Sequence, residues 1–347
     1  MVTGLLAVAA LLIVALLLLS WWHGRRQART ARVERIVEQM LAAWTERDPS
    51  SAEFDWLRDL APVDRAAALA SCARAVPRLP PEATARLCGA VRRVGLLDQE
   101  LARLRHRSPM RRALACRTLG RLGQADAVPA LVERLQDRSL IVRRQAIGAL
   151  ADLRAVDAYG AVTQAIEDAG EWGNLLALMA LIRMGPGSAP QVADLLRRSR
   201  SPAMTKALLQ VTGQLGLAPD PAAVRALAAH PDPEIRAEAV RTLGTIAPEA
   251  ESVAVCLAAM DDPEWPPRAL AACSLGRLGD DRAIPRLEQA MGDTAYWVRH
   301  HVADALGGLG APGQAALRRG LDHANPFVRD MAAQALFMRG LPRESPA

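Results

Sequence analysis

The sequence predicts an all-α protein: an α-solenoid of about eight helix pairs, preceded by one N-terminal transmembrane helix. Three observations support this fold class. The 347 residues are 51% hydrophobic but only 3% aromatic, which favours helices of small and straight-chain residues over a β-rich core. A motif that often ends in glycine recurs through most of the chain at an almost constant spacing. An uncharged apolar run lies at the start.

The apolar run covers residues 2–22. As a helix of about 31 Å, it matches a bilayer core of roughly 30 Å. No basic residue precedes the run and no small-residue cleavage site ends it, which favours a retained anchor over a cleaved signal peptide. The basic stretch that follows indicates a cytoplasmic location for the rest of the chain and would attract anionic lipid. We therefore expect a single-pass protein of the bacterial inner (plasma) membrane, with a transmembrane anchor at 1–23, a basic juxtamembrane helix at 24–47 and a cytoplasmic C-terminal domain.

Residues 48–104 are predicted to form an irregular helical N-terminal cap. Their apolar residues recur at helical spacing but off the period of the rest of the chain. The stretch "DPSS" at 48–51 ends the preceding helix and offers capping side chains for the next. An atypical first unit would cover the open end of a solenoid.

A motif typified by "ALGGLG" recurs through residues 105–347. Its period is about 31 residues over eight units, which is typical of a solenoid. The final residues of the eight copies are Gly123, Arg154, Gly185, Gly216, Ala247, Gly279, Gly310 and Gly340. Glycine suits the left-handed C-cap of a helix. A second recurrent glycine three residues earlier, as at Gly120 and Gly276, predicts close contact between helices.

A second helix follows in each unit, as in "AVPALVERLQD" at 127–137. Its proline lies in the first turn, where the missing N–H is harmless. Each second helix ends near an aspartate that starts the next turn. These aspartates are Asp137, Asp168, Asp262, Asp293 and Asp322. One helix pair cannot bury its apolar face alone, but stacked pairs can.

The pattern "D…VR…A…ALG.LG…AVP.L…L.D" resembles the HEAT repeat in its phycobilisome-lyase-like form, over roughly residues 105 to 342. The resemblance implies an α-solenoid, a fold that serves scaffolds, lyases and hydroxylases alike. It further implies a bacterial membrane-anchored type, in which the scaffold accompanies a membrane enzyme such as a glycosyltransferase.

An arginine recurs near the start of the first helix in most units. Its regularity indicates a structural task, because a charge-assisted hydrogen bond to a neighbouring aspartate would tie adjacent turns together. Ligand binding is the alternative. The column comprises Arg112, Arg143, Arg236, Arg268, Arg299 and Arg329. On the structural interpretation, Arg299→Ala should destabilise the protein by roughly 1–3 kcal/mol, since it leaves a buried partner unpaired.

Four aromatic residues lie just before the matching helical positions. They are Trp172, Trp265, Trp297 and Phe327. Two interpretations are open: a row along one rim that contacts a partner protein, or side chains that only pack over the loops between units.

His300 and His301 lie side by side, with Asp304 one helical turn beyond His300. Zinc and iron sites need three or four convergent ligands, and the other histidines are far away in the repeat order. The resemblance implies iron held by His-Glu dipeptides in the hydroxylases, and this sequence contains no such dipeptide. It also contains no P-loop, no G-x-S-x-G motif and no dinucleotide fingerprint. We therefore predict no metal site, no cofactor and no enzymatic activity.

The densest positive charge lies at residues 103–121, which hold seven arginines and no acidic residue. Its candidate contact residues are Arg103, Arg105, Arg107 and Arg111. Three interpretations are open: a solvated face, contact with anionic lipid, or contact with an acidic protein or nucleic acid. No aromatic residue interleaves the arginines, and the whole chain carries a formal charge of only +6, so nucleic acid is not expected as the main partner.

The sequence therefore predicts a scaffold for protein–protein interaction, anchored in the membrane through residues 2–22 and presenting its solenoid to a partner protein. The alternatives are a lyase- or hydroxylase-type enzyme and a nucleic-acid binder. A bound chromophore or iron in the purified protein would favour the enzyme, and steeply salt-dependent DNA binding would favour the nucleic-acid binder.

Overall fold

The computed structural model describes residues 20–21, 24–25, 27–28, 31–40, 59–170, 175–199, 201–217 and 221–341. These residues form helices joined by short turns, and no β-strand occurs among them. The predicted all-α class is confirmed. The helical residues 31–40 are labelled α1.

The predicted membrane span is not supported. None of the described helices is both long and apolar enough to cross a bilayer. Of the predicted span at 2–22, all but residues 20 and 21 lie outside the described residues. The predicted location as a single-pass inner-membrane protein is contradicted by this finding and is corrected here.

The chain divides into two compact units, Met1–Ala165 and Ile166–Ala347. After α1, the helices up to the boundary are α2 (Pro62–Ala75), α3 (Pro81–Arg93), α4 (Leu96–Arg103), α5 (Pro109–Arg121), α6 (Val128–Arg134), α7 (Leu140–Asp152) and α8 (Tyr159–Asp168), which crosses it. The helices of the second unit are α9 (Leu175–Arg183), α10 (Ala189–Arg198), α11 (Pro202–Leu215), α12 (Pro221–Leu227), α13 (Pro233–Ile246), α14 (Ala250–Ala259), α15 (Trp265–Leu278), α16 (Ile284–Ala290), α17 (Tyr296–Gly308), α18 (Gly310–Gly320) and α19 (Pro326–Met338). Short 3-10 turns lie at Val76–Arg78, Ala125–Ala127, Val156–Ala158, Pro186–Ser188 and Asp281–Ala283.

Within each unit, the first helix of one pair packs on the first helix of the next. In the first unit α5 packs on α7, and in the second unit α13 packs on α15 and α15 on α17. Most first helices also contact a second helix, as α15 contacts α14. Helix pairs stacked in this way form an α-solenoid, so this part of the fold prediction is also confirmed.

The recurrent internal glycine marks the closest contact between first helices. A Cβ atom on Gly120 would lie 2.5 Å from the Cα of Ala149, and one on Gly276 would lie 2.9 Å from the Cα of Ala305. Carbon atoms pack at about 3.5–4.0 Å, so a larger residue would push the two helices apart. The close helix contact predicted from this glycine is confirmed at both positions.

In most units, the last residue has a positive φ. The glycines with positive φ at this position are Gly123, Gly185, Gly216, Gly279, Gly310 and Gly340. The predicted left-handed C-cap is confirmed at Gly216 and Gly279, where both backbone angles are left-handed, whereas Gly185 combines its positive φ with an extended ψ of 178°. Arg154 occupies the same position with φ 49° although it carries a Cβ, which is an unfavourable conformation for a non-glycine residue. Ala247 instead has an extended φ of −140°.

Candidate functional site

A turn precedes the first helix of a repeat. The residue that opens this turn lies six positions before the column arginine of the same unit. Asp293 opens the turn before α17, and its Oδ1 accepts a hydrogen bond from the N–H of Ala295 at 2.8 Å. His323 opens the turn before α19, and its Nδ1 accepts from the N–H of Asn325 at 3.0 Å. The opening residues are His106, Asp137, Asp168, Ser199, His230, Asp262, Asp293 and His323. Asp322, predicted to start the last turn, lies one residue too early.

Arg268 joins two consecutive turns. Its Nε and Nη2 donate to the two carboxylate oxygens of Asp293 at 2.8 and 2.9 Å. Its Nη1 donates to the backbone oxygens of Asp262 and Pro263, in the preceding turn, at 2.9 and 3.1 Å. The side chains of Arg268 and Asp293 are only 14% and 13% exposed. Because both side chains are largely buried, the two parallel charge-assisted hydrogen bonds fix the orientation of the guanidinium and of the carboxylate.

Two other arginines make the same arrangement. Arg112 binds both carboxylate oxygens of Asp137 at 2.8 and 2.7 Å, and Arg236 binds those of Asp262 at 2.7 and 2.8 Å. In both, Nη1 again donates to the backbone of the preceding turn. The three pairs Arg112–Asp137, Arg236–Asp262 and Arg268–Asp293 are called the arginine ladder below.

The ladder holds its carboxylates in the ionised form. Burial raises the pKa of the Asp293 carboxyl, but the hydrogen bonds from Arg268 and from the backbone N–H of Ala295 outweigh burial, and the pKa lies below its ordinary value. The same balance lowers the pKa of Asp137 and Asp262. Acidification is therefore expected to weaken the ladder.

The other arginines of the column differ from the ladder. Arg143 donates to the backbone oxygen of Asp137 at 2.9 Å. Arg329 is exposed and donates to the backbone oxygens of His323 and Ala324 at 2.7 and 2.8 Å. Like the ladder arginines, these two donate to the backbone of the turn that precedes their own helix.

Arg299 is only 8% exposed. Its Nη1 keeps the backbone contacts of the column and donates to the oxygens of Asp293 and Thr294 at 2.7 and 3.0 Å. Its buried Nε has no hydrogen-bond partner in the part of the chain that the structure describes. The Cζ atom lies 4.6 Å from the ring centre of Phe327 and 5.9 Å from that of Tyr296. Arg299 therefore contacts aromatic rings where the ladder arginines bind a carboxylate.

Exposed aromatic side chains lie at the start of three first helices in the second unit. Trp265, Tyr296, Trp297 and Phe327 are 45%, 48%, 53% and 55% exposed. They lie two or three residues before an arginine of the column and are called the aromatic rim below. Sequence reasoning missed Tyr296, although it stands three residues before its arginine, as Trp265 does. Trp172, which was also predicted, lies outside the described residues.

The histidine pair adjoins the rim on α17. The ring centre of Trp297 lies 6.0 Å from that of His300 and 6.5 Å from that of His301. Burial, and then the charge of His300, lower the pKa of His301. Asp304, the nearest acidic residue along the helix, is paired with Arg339 at 2.7 Å. Among the described residues, no group of three His, Cys, Asp or Glu side chains could hold a metal ion.

A small cavity lies beside His300. Its volume is about 120 Å³, and Met331 and Met338 line it from α19. Pockets for small molecules usually measure about 300–1,000 Å³. The cavity therefore has room for a single side chain rather than for a cofactor.

The predicted basic cluster lies in the first unit, around the end of α4 and the start of α5. Arg105, Arg107 and Arg111 are exposed, whereas Arg103 forms an ion pair with Glu100. Three of the four arginines thus present their charge to solvent. Contact of this cluster with anionic lipid or with an acidic partner stays a prediction.

Several solved structures are similar to this chain. The phycocyanin lyase complex of CpcE and CpcF from a Nostoc species has 18% sequence identity and a TM-score of 0.33, and the match covers 70% of this chain and 94% of that one. Human deoxyhypusine hydroxylase has 19% identity and a TM-score of 0.31, with 78% and 96% covered. Kap121p bound to Nup53p has 15% identity and a TM-score of 0.48, with 82% and 38% covered. No curated protein matches the chain.

The family described as HEAT repeats matches residues 97–182 and 221–307. These two regions contain the whole arginine ladder, and within both the helices form the stacked pairs that the repeat period predicts. Both of these regions of the chain therefore consist of HEAT repeats.

Proposed function

We propose that this protein is a binding scaffold and that the aromatic rim of its second unit contacts a partner protein. One observation supports this proposal above the others: four half-exposed aromatic side chains lie at the start of the first helix in three consecutive units. The whole chain has only seven tryptophans, two tyrosines and three phenylalanines, so the rim takes a large share of them. Tryptophan and tyrosine are the side chains that most often dominate the binding energy of protein interfaces.

The rim also stands on a rigid base. Tyr296 and Trp297 follow directly on the turn at Asp293, whose side chain is fixed by Arg268 and by a hydrogen bond from the N–H of Ala295. The backbone of that turn also accepts hydrogen bonds from Arg299. Side chains that are already in place lose less entropy on binding, and therefore contribute more to affinity.

The identity of the partner stays a prediction, including the membrane glycosyltransferase that the resemblance implies. That the protein is not an enzyme also stays a prediction. Chromophore or iron that co-purifies in stoichiometric amount would contradict it.

The rim proposal is tested by comparing two exposed variants. In the first, Trp297→Ala is combined with Phe327→Ala; in the control, Phe337→Ala removes an aromatic side chain that is 80% exposed but lies outside the rim. The immobilised proteins are exposed to lysate from the native cells, and bound proteins are quantified by mass spectrometry. We expect the rim variant to bind its specific partner at least about tenfold more weakly, and Phe337→Ala to bind like the wild type.

Thermal unfolding monitored by circular dichroism serves as the folding control for both variants. Equal retention of every partner by the wild type and the correctly folded rim variant would refute the proposal.

A further inference from the structure

Arg299, the next arginine of the column after the ladder pair Arg268–Asp293, has no aspartate at the matching position. In each ladder pair, Nε and Nη2 of the arginine bind the carboxylate that opens the next turn. For Arg299, the residue that opens the next turn is His323. The imidazole Nδ1 makes the same backbone cap as an aspartate oxygen, because it accepts from the N–H of Asn325 at 3.0 Å. The turn is thus preserved, while the negative charge that would pair with Arg299 is missing.

Another unit of the second half shows how the chain departs from the pattern without leaving an unpaired charge. His230 also replaces the aspartate that opens a turn, but there the preceding unit has Thr205 in place of the arginine. The hydroxyl of Thr205 bonds to Ser199 at 2.9 Å instead. At Arg299 the aspartate is absent and the arginine is retained, with its Nε buried and without an acceptor among the described residues. A buried donor without an acceptor is unfavourable for folding. The presence of an arginine at position 299 therefore needs an explanation other than stability.

We propose that Arg299 binds a carboxylate of an acidic side chain supplied by a partner protein, which completes the ladder between the two molecules. This proposal rests on the proposed binding function and adds the chemistry that the rim recognises. The guanidinium edge formed by Nε and Nη2 matches a carboxylate in shape and charge, because two parallel hydrogen bonds join the two planar groups. The ladder pairs show this geometry three times in the same chain.

The position of Arg299 favours a protein as the source of the carboxylate. The two rings that contact its guanidinium, Phe327 and Tyr296, belong to the aromatic rim and are each about half exposed. A partner that covers the rim would displace the Phe327 ring and place an aspartate or glutamate against Nε. The covering partner and the Tyr296 ring would then exclude water from that bond, which strengthens it.

The test uses the full-length protein and a variant that supplies the missing acid internally. His323→Asp restores the residue found at Asp262 and Asp293, and should engage Arg299 within the chain. The readout is the Nε–Hε signal of Arg299 in a nitrogen-15 NMR spectrum, assigned by its loss in Arg299→Lys. The probes are an acetylated, amidated hexaglutamate peptide, the matching hexaglutamine peptide and sodium acetate. The signal of Arg268, which is already paired, is the internal control.

We expect hexaglutamate to shift the Arg299 signal in the wild type, hexaglutamine to leave it unchanged, and acetate to need at least about tenfold more carboxylate for the same shift. In His323→Asp the signal should be displaced at the outset and should not respond. Three results would each overturn the proposal: no response of Arg299 to hexaglutamate, an equal response in His323→Asp, or acetate acting as well as the peptide, which would indicate a free carboxylate ligand.

Partner capture separates the failure of this proposal from the failure of the rim proposal. If the rim variant loses the partner and His323→Asp binds it with wild-type affinity, the carboxylate proposal is wrong and the binding function stands. If the rim variant keeps the partner, the binding function at the rim is wrong, whatever the NMR titration shows. If both variants weaken binding about tenfold or more, both proposals are supported.

Discussion

Replacing Arg268 by alanine should destabilise the protein strongly, because one side chain holds two turns together. The change removes two hydrogen bonds to Asp293 and two to the backbone of the preceding turn. It also leaves the Asp293 carboxylate, which is only 13% exposed, without the guanidinium that binds its two oxygens. Hydrogen bonds to charged groups contribute about 1.5–3 kcal/mol, and breaking a buried ion pair from one side costs about 3–5 kcal/mol. Allowing for the residual exposure, we expect a loss of about 2–4 kcal/mol.

Arg329→Ala provides a matched control for Arg268→Ala. Arg329 belongs to the same column and makes the same two backbone contacts, but it is exposed and has no ion pair among the described residues. Its removal should cost under about 1 kcal/mol. The free energies of unfolding are measured by urea titration followed by circular dichroism. Asp293→Ala completes a double-mutant cycle, in which the coupling with Arg268 should exceed about 1 kcal/mol. Equal losses in the two arginine variants would refute the assignment of the ladder as a stabilising element.

Three further predictions concern the repeat itself. Gly276→Ala should cost about 1–3 kcal/mol by overpacking the contact with the next first helix. Gly89→Ala, whose added Cβ would lie 4.0 Å from Nη1 of Arg93, should be neutral or stabilising by up to about 1 kcal/mol in the same urea assay. Arg154→Gly should raise the stability by about 1 kcal/mol, because it relieves a left-handed conformation; a lower melting temperature would contradict this reason. Because the folded-state pKa of Asp293 is lowered, its contribution is complete above the ordinary aspartate pKa of about 3.9 and is lost as the pH falls towards the lower folded value. Unfolding midpoints at pH 7 and pH 3 should therefore differ less in Asp293→Asn than in the wild type.

Local signals in the sequence were sufficient to predict the repeat. The glycine at the end of a unit and the internal glycine each report one backbone requirement, a left-handed cap and a close helix contact, and both requirements were found where the period placed them. The membrane prediction is contradicted because no described helix is both long and apolar enough to cross a bilayer. It had been based on the hydropathy and length of residues 2–22 alone.

The candidate site was harder to predict because it depends on contacts between units. The arginine column is visible as a pattern, but whether each arginine meets a carboxylate depends on the residue that opens the next turn. Asp322 lies close enough in sequence to suggest a fifth such aspartate, and only the six-residue spacing to Arg329 shows that His323 holds the position. The three-residue spacing between Trp265 and Arg268 would have identified Tyr296, three residues before Arg299, as a member of the rim.

Arg299→Ala should cost much less than Arg268→Ala, and the contacts of Arg299 lead us to expect a loss at or below the lower end of the roughly 1–3 kcal/mol predicted from the sequence. The change removes two backbone hydrogen bonds and the contact with the Phe327 ring, which together contribute about 2–3 kcal/mol. It also removes a buried Nε without an acceptor, whose desolvation costs about 1–3 kcal/mol in the wild type. The two effects largely offset each other, so we expect a net loss of about 1 kcal/mol or less.

In the His323→Asp background, by contrast, Arg299→Ala would break a complete pair and should cost about as much as Arg268→Ala does in the wild type. Urea titration of the four proteins measures this difference directly. If Arg299→Ala is as destabilising in the wild type as in the His323→Asp background, then Arg299 already has a full set of partners within the folded chain, and no edge of its guanidinium is left for a partner's carboxylate.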